Sequence, residues 1–329
     1  MRMLERVVRC QRLRWKRCFH AQTVAKVLPQ VRERLRLQGI EGSDAKALVA
    51  HALSPPLCSS NDVVLHSDRS LTTAEGNTLE ELMRRRCAGE PLAYVLGFKE
   101  FWSMSFRVSR DTLIPRSDSE VLIETLVSLY PSTTALRVLD LGTGSGCLLL
   151  AALSEFPNAT GVGIDISAGA LDIARDNAQR LGFSHRSTFL EMDMETLPSA
   201  NDVAFARGFD VILCNPPYIP LQELALIAPD VLAHEPHGAL FADGPDALKS
   251  ATASSSGDLG LRFYESLERS ARALLRAEVA SRGSAILMEI GSRQQAAAVR
   301  DLFVRGGYSF DRFLLDAAGR HRGVLCSLP

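Results

Sequence analysis

Residues 136–147 read Leu136-Arg137-Val138-Leu139-Asp140-Leu141-Gly142-Thr143-Gly144-Ser145-Gly146-Cys147. An apolar run carrying one acid passes directly into three alternating glycines, and residues 147–153 then have the composition of a helix. Strand, glycine turn, helix is the start of an α/β unit, because glycine lets the backbone turn sharply and approach a ligand closely. A phosphate loop would need Gly-Lys-Ser/Thr, and no lysine is present. A dinucleotide loop would place its third glycine further into the helix.

Outward from that stretch, strands and helices alternate. Strands are predicted at 137–141, 161–164, 188–191, 209–213 and 284–289, and helices at about 167–181, 259–277 and 293–305. Residues 308–315 and 323–327 read as two antiparallel strands joined by a turn at 317–320. The pattern predicts an α/β domain over 136–329, a mostly parallel sheet with helices on both faces. Upstream, residues 27–96 are helical. Val27, Leu28, Val31, Leu35 and Leu37 recur at helical spacing, as do Ala45, Leu48, Val49, Ala52 and Leu53 after a cap at Ser43 or Asp44. A third helix opens at Thr73 and runs through Leu79, Leu82 and Met83 to about 86, before a break at Gly89-Glu90-Pro91. Residues 97–135 read as a linker and hairpin region.

The chain has 329 residues, 46% of them hydrophobic, which suits one large domain and one small one. Its net charge of −1 is unevenly spread. Residues 1–28 hold eight basic residues and one acid, so this head is +7 and the remainder −8. An acidic body is a poor match for nucleic acid, whose phosphates need Lys and Arg, and it suits a protein substrate. Residues 1–26, Arg-rich and acid-poor with apolar residues between the charges, read as a transit peptide for a mitochondrion or a similar organelle, the alternative being a disordered basic arm on a cytoplasmic protein. No run of about 18 apolar residues exists, so no membrane span is expected. The seven cysteines form no Cys-x-x-Cys pair and the seven histidines show no ligand spacing. Free thiols in a reducing compartment, and no metal, are expected.

Asp165 ends the second strand, 19 residues beyond Gly146. A carboxylate there can accept both hydroxyls of a ribose. Asp140, the glycines and Asp165 together resemble the cofactor site of class I S-adenosylmethionine methyltransferases. That resemblance implies a Rossmann-like seven-stranded sheet, with Gly142, Thr143, Gly144, Ser145, Gly146 and Asp165 around S-adenosylmethionine. In such folds Asp193 and Met194, at the end of the third strand, border the adenine.

The fourth strand ends in Cys214-Asn215-Pro216-Pro217-Tyr218. Two prolines remove backbone donors and stiffen the turn. The Asn215 side-chain oxygen and the Pro216 carbonyl remain as acceptors for the two hydrogens of a planar –NH2 group, and the Tyr218 ring can pack on that group. Asn215, Pro216 and Tyr218 are the expected catalytic residues, and Pro217 joins them at the substrate. The motif resembles adenine-N6 DNA, guanine-N2 RNA and glutamine-N5 protein methyltransferases alike.

Three further stretches are more specific. Gly89-Glu90-Pro91-Leu92-Ala93-Tyr94, with Gly97 and Glu100-Phe101-Trp102, resembles the linker of the HemK/PrmC family. Leu113-Ile114-Pro115-Arg116-Ser117-Asp118-Ser119-Glu120 resembles that family's Ile-Pro-Arg-Pro-Asp-Thr-Glu, with Ser117 in place of the proline and Ser119 in place of the threonine. Glu235-Pro236, Asp243-Gly244 and Glu289-Ile290-Gly291 resemble later family segments. The likeness covers about residues 28–329. It implies methylation of the glutamine in the Gly-Gly-Gln motif of class-1 peptide-chain release factors, with the helical domain docking the release factor. Arg116 either pairs with Asp118 or Glu120 or serves the cofactor. Glutamine methylation of a ribosomal protein shares nearly every motif, and amino-methylation of a nucleic acid shares the chemistry. Residues 249–258, small and polar, read as a surface insert without chemistry of their own.

Overall fold

A computed structural model describes residues 19–57, 60–196, 205–244, 259–276 and 283–329. Most of the basic head, through residue 18, and the insert at 249–258 lie outside the described residues. The chain divides into two compact units, Met1–Gly97 and Phe98–Pro329.

The first unit is helical: α1 (Val24–Leu37), α2 (Asp44–Ala52), α3 (Thr73–Cys87) and the short α4 (Leu92–Leu96). Val24, Val27, Val31 and Leu35 form the buried stripe of α1 and share a core with Leu48, Val49, Leu79 and Met83. Helix α3 starts with a capping box. Glu75 N–H donates to Thr72 Oγ1 at 3.2 Å and Thr72 N–H to Glu75 Oε2 at 2.8 Å, satisfying amides that the helix leaves unpaired. Ser43 precedes α2 without a side-chain cap, its hydroxyl donating instead to Glu41 at 3.2 Å. The Gly89-Glu90-Pro91 break lies inside the unit, because Arg85 binds both Glu90 at 2.7 Å and the Tyr94 carbonyl at 2.8 Å. The helical unit ends at Gly97, whose φ of +79° caps α4.

The second unit opens with an antiparallel hairpin, β1 (Phe98–Phe101) and β2 (Met104–Arg107), and then α5 (Glu120–Leu129). Residues 97–135, expected as a linker and hairpin region, do hold a hairpin, but the region packs into the large unit rather than linking two units. Phe101, Phe106, Leu122, Ile123 and Leu126 are buried in one cluster with Val138, Leu149 and Leu213 of the large sheet's core. Trp102 and Ser103 turn the hairpin at positive φ. Glu120 accepts the Trp102 amide at 2.9 Å, and Glu155 the indole N–H at 2.7 Å, which fastens the turn to α5 and the helix beyond.

The alternating elements follow as β3 (Arg137–Leu141), α6 (Cys147–Glu155), β4 (Thr160–Asp165), α7 (Ala168–Arg180), β5 (Ser187–Glu191), β6 (Val211–Cys214), α8 (Pro229–His234), α9 (Arg262–Leu274), β7 (Ala285–Glu289), α10 (Arg293–Arg305), β8 (Ser309–Leu315) and β9 (His321–Ser327). The sheet has seven strands in the order β5-β4-β3-β6-β7-β9-β8. Its first five are parallel, and β9 runs antiparallel between β7 and β8. This is the doubly wound α/β architecture the alternation predicts. The fourth predicted strand begins two residues late, because Phe209 makes only an isolated bridge to Leu275. Strands β6 and β7 are near-continuous apolar runs because both faces are covered. From β3 the chain winds outward through β4 and β5, then returns to lay β6 on β3's other side. That reversal opens a crevice at the strands' carboxyl ends, the usual ligand position in such sheets. Among the described residues, no helix is long and apolar enough to cross a membrane.

Candidate active site

One cavity of about 720 Å³ occupies that crevice. The ends of β3, β4, β5 and β6 deliver Gly142, Thr143, Gly144, Ser145, Asp165, Asp193, Met194, Asn215 and Pro217 to its wall. Gly146, Pro216 and Tyr218 are not among the lining residues.

The glycine loop is built for close approach. Gly142, Gly144 and Gly146 have φ of +69°, +54° and +79°, which L side chains rarely adopt. A Cβ on Gly142 would lie 2.8 Å from Met194 Cε, so the Met194 side chain covers the loop directly. On Gly144 a Cβ would meet only the Gly142 carbonyl at 4.0 Å, leaving open space against the backbone. Asp165 braces the loop, its Oδ2 accepting from Gly144 N–H and its Oδ1 from Ser167 N–H, each at 2.9 Å. Burial raises the Asp165 pKa against these bonds. The Ile166 amide also bonds this carboxylate, so three backbone donors leave one of its about four acceptor positions open. Asp140 lies beneath the loop, fully buried, with Oδ2 accepting from Thr143 Oγ1 at 2.6 Å and Oδ1 without a partner. Burial pushes its pKa up to about 7. Asp193 accepts the Glu195 amide at 2.8 Å, which turns the chain so that Met194 meets the cavity.

The Asn-Pro-Pro-Tyr run alternates. Asn215 and Pro217 line the cavity, whereas Pro216 is buried and Tyr218 faces the end of β7. Successive side chains of an extended segment point to opposite sides, so the four side chains cannot all meet one ligand, whereas the acceptor expected of Pro216 is its backbone carbonyl, on which this alternation does not bear. Tyr218, expected to lay its ring on the substrate, instead packs it against Gly291, where a Cβ would come within 2.9 Å of the ring. Its hydroxyl donates to Glu289 Oε1 at 3.3 Å. Gln295 secures the same turn, donating to the Tyr218 carbonyl at 3.1 Å and accepting from Gly291 N–H at 2.7 Å.

Arg116 pairs with neither Asp118 nor Glu120. Its Nη2 lies 2.5 Å from Glu235 Oε1, while Asp118 pairs with Arg322 at 2.8 Å and Glu120 takes Trp102. Glu235 also accepts the Ile114 amide at 3.0 Å, so one buried carboxylate ties the Leu-Ile-Pro-Arg and Glu-Pro stretches together beside the cavity. Several lining residues carried no recognisable signal. Ile166, 67% exposed, follows Asp165 on the rim. Arg262 and Glu195 join across the cavity edge at 2.8 Å from sequence positions 67 residues apart.

The chain matches the family model described as a methyltransferase domain over residues 132–252, and the PrmC N-terminal domain over 26–97. Fold, cavity and matched domain define a methyltransferase. The chain is 39% identical over 240 residues to the release factor glutamine methyltransferase of Bradyrhizobium diazoefficiens, spanning 70% of this chain and 77% of that protein. It is 37% identical over 298 residues to that of Cereibacter sphaeroides (90% and 95%), and 33% identical over 305 residues to that of Caulobacter vibrioides (92% and 96%). The chain belongs to the release factor glutamine methyltransferase family.

Proposed function

We propose that this protein transfers a methyl group from S-adenosylmethionine to the side-chain amide nitrogen of the glutamine in the Gly-Gly-Gln motif of a class-1 peptide-chain release factor. The observation that carries the reading is the meeting, in one cavity, of the Asp165-braced glycine loop and the Asn215 amide at the ends of neighbouring strands. The family relationship supports the substrate class. The cavity residues fit the cofactor. Open space over Gly144 admits a ligand against the backbone, Asp165 offers an open acceptor position for a ribose hydroxyl, and Met194 gives an apolar cover for a flat base.

When bound, S-adenosylmethionine supplies an electrophilic methyl on a sulfonium. A glutamine amide nitrogen is a weak nucleophile, because its lone pair is delocalised into the carbonyl. Asn215 Oδ1 counters this by accepting a hydrogen bond from the amide –NH2. That raises electron density on nitrogen, orients the lone pair, and stabilises the positive charge that develops there. Holding nitrogen and methyl in line supplies much of the remaining acceleration. The nitrogen's proton leaves to water after transfer, so no dedicated base is required.

The release factor of a mitochondrion, or of another organelle of bacterial origin, is the partner we favour. The Arg-rich, acid-poor composition of residues 1–26 supports import, and the −8 charge of the remaining body favours a protein substrate over nucleic acid. The test is a transfer assay with tritiated S-adenosylmethionine, an organellar release factor and its Gly-Gly-Gln→Gly-Gly-Ala variant. Label on the wild-type factor alone is expected. Label on neither protein, or equally on both, would overturn the assignment. A fluorescent protein fused behind residues 1–40 should enter mitochondria, and diffuse cytosolic fluorescence would remove the compartment.

A further inference from the structure

Asn215 is one end of a polar chain that starts at the cavity wall, which Ser119 also lines, and runs inward to Glu289. Its Nδ2 donates to Ser119 Oγ at 3.4 Å. The Ser119 hydroxyl lowers the Glu289 pKa from beside its carboxyl, and the Tyr218 hydroxyl donates to Glu289 Oε1 at 3.3 Å, while Oε2 has no hydrogen-bond partner among the described residues. Ser119 and Glu289 are each only 3% exposed. The four residues come from the turn before α5, the ends of β6 and β7, and the Asn-Pro-Pro-Tyr run.

Hydrogen-bond direction makes this chain informative. An ionised carboxylate only accepts. Above about pH 7, where Glu289 is ionised, Ser119 can give its single proton to Glu289, and its oxygen is then left as an acceptor. Of the two ends of the Asn215 amide, only the –NH2 end can satisfy that oxygen. The amide is planar, so this choice leaves Oδ1 as the end available to the cavity. Turned over, Asn215 would offer donors to a substrate –NH2, and donor would face donor. Asn215 is half-buried beside the cavity and its two ends have nearly the same shape, so packing alone selects the orientation weakly.

We propose that Ser119 and Glu289 are positioning residues for methyl transfer, fixing the orientation of the Asn215 amide so that its oxygen meets the substrate nitrogen. Tyr218 then acts through Glu289 rather than by stacking on the substrate. The proposal rests on the reading of Asn215 as acceptor for the substrate amide. Burial raises the Glu289 pKa to about 7, with Ser119, Tyr218 and Arg322 pulling it down and Asp118 pushing it up, so the test is run above that value.

The experiment uses the full-length protein labelled with [15N]asparagine, with the Asn215 side-chain amide assigned by its loss in Asn215→Ala. Side-chain amide exchange is compared in wild type, Ser119→Ala, Ser119→Thr and Glu289→Gln, and each is assayed with S-adenosylmethionine and release factor. Ser119→Ala should speed Asn215 amide exchange. It should lower kcat by roughly 10²-fold, the scale of a misplaced reacting group, with KM for the release factor and Kd for S-adenosylmethionine close to wild type. Ser119→Thr, which keeps the hydroxyl, should restore both exchange and kcat. Glu289→Gln should act in the direction of Ser119→Ala and serves as the second variant if Ser119→Ala is poorly folded. Unchanged exchange, or unchanged kcat, in both Ser119→Ala and Glu289→Gln overturns the proposal. If wild type labels no release factor, the functional reading fails, and amide exchange alone still decides whether Ser119 orients Asn215.

Discussion

Glu235 holds Arg116 across 119 residues of sequence, its carboxylate 1% exposed and 2.5 Å from the guanidinium. The same carboxylate accepts the Ile114 amide. Replacing Glu235 with alanine strands a buried amide and a cation beside the cavity. A fully buried pair broken in this way costs about 3–5 kcal/mol, and Arg116 is more than a third exposed, so about 2–4 kcal/mol is expected. The melting transition of the Phe98–Pro329 unit should fall by roughly 5–10 °C in Glu235→Ala. A melting point within a degree of wild type would mean that the pair contributes nothing to the fold.

Asn215→Ala should abolish methyl transfer by removing the acceptor from the substrate nitrogen. Loss of one preorganised group of this kind costs roughly 10²–10³-fold in kcat. Because the glycine loop and Asp165 are untouched, affinity for S-adenosylmethionine should be largely kept. Steady-state rates and calorimetry on the same preparation separate the two effects, and wild-type turnover by the variant would eliminate the amide clamp.

Asp165→Ala should have the opposite signature. In the proposed reading its carboxylate meets the ribose, and in the structure it holds Gly144 and Ser167 by their amides. Charged hydrogen bonds are worth about 1.5–3 kcal/mol each, so Kd for S-adenosylmethionine should rise by at least roughly tenfold. Calorimetry showing an unchanged Kd would remove Asp165 from the cofactor.

Much of this architecture is written locally. Strand β3 and helix α10 occupy the predicted residues, 137–141 and Arg293–Arg305, because each has a local signal. Buried Val138, Leu139 and Leu141 mark the strand. The Ser292 hydroxyl accepts from Gln295 N–H at 3.1 Å to start the helix, which stops at Gly306. The apolar residues of α5 mark something to be buried but not the core that takes it, so the region read as linker became part of the large unit. Within the site, the glycine loop and Asp165 could be read from order along the chain. Glu235, Glu289 and Gln295 could not be given roles, because partners that place them, Ile114 for Glu235 and Tyr218 for Glu289 and Gln295, lie 71–121 residues away, and pairing at that distance depends on the closed sheet. Tyr218 was assigned to the wrong side for a different reason: a four-residue motif does not state which of its members an extended backbone turns toward the ligand.

Asp140 gives the cofactor-free protein a pH signature. Burial pushes its carboxyl up to about 7, against 3.8 for an unperturbed aspartate. Between those values the folded protein keeps a proton that the unfolded chain has released. Deprotonation therefore favours unfolding, and the contribution of Asp140 to stability declines as pH rises from 3.8 to about 7, then stays level. Asp140→Asn keeps the shape and an acceptor for Thr143 but cannot ionise. Its melting temperature relative to wild type should climb by several degrees from about pH 4 to about pH 7 and hold constant above that. Thermal melts of the two proteins across this range measure the difference, together with the smaller change in the charge that Asp140 places on neighbouring Asp165. Parallel curves would mean that Asp140 ionises as readily in the fold as in water, and that its unpartnered oxygen is solvated after all.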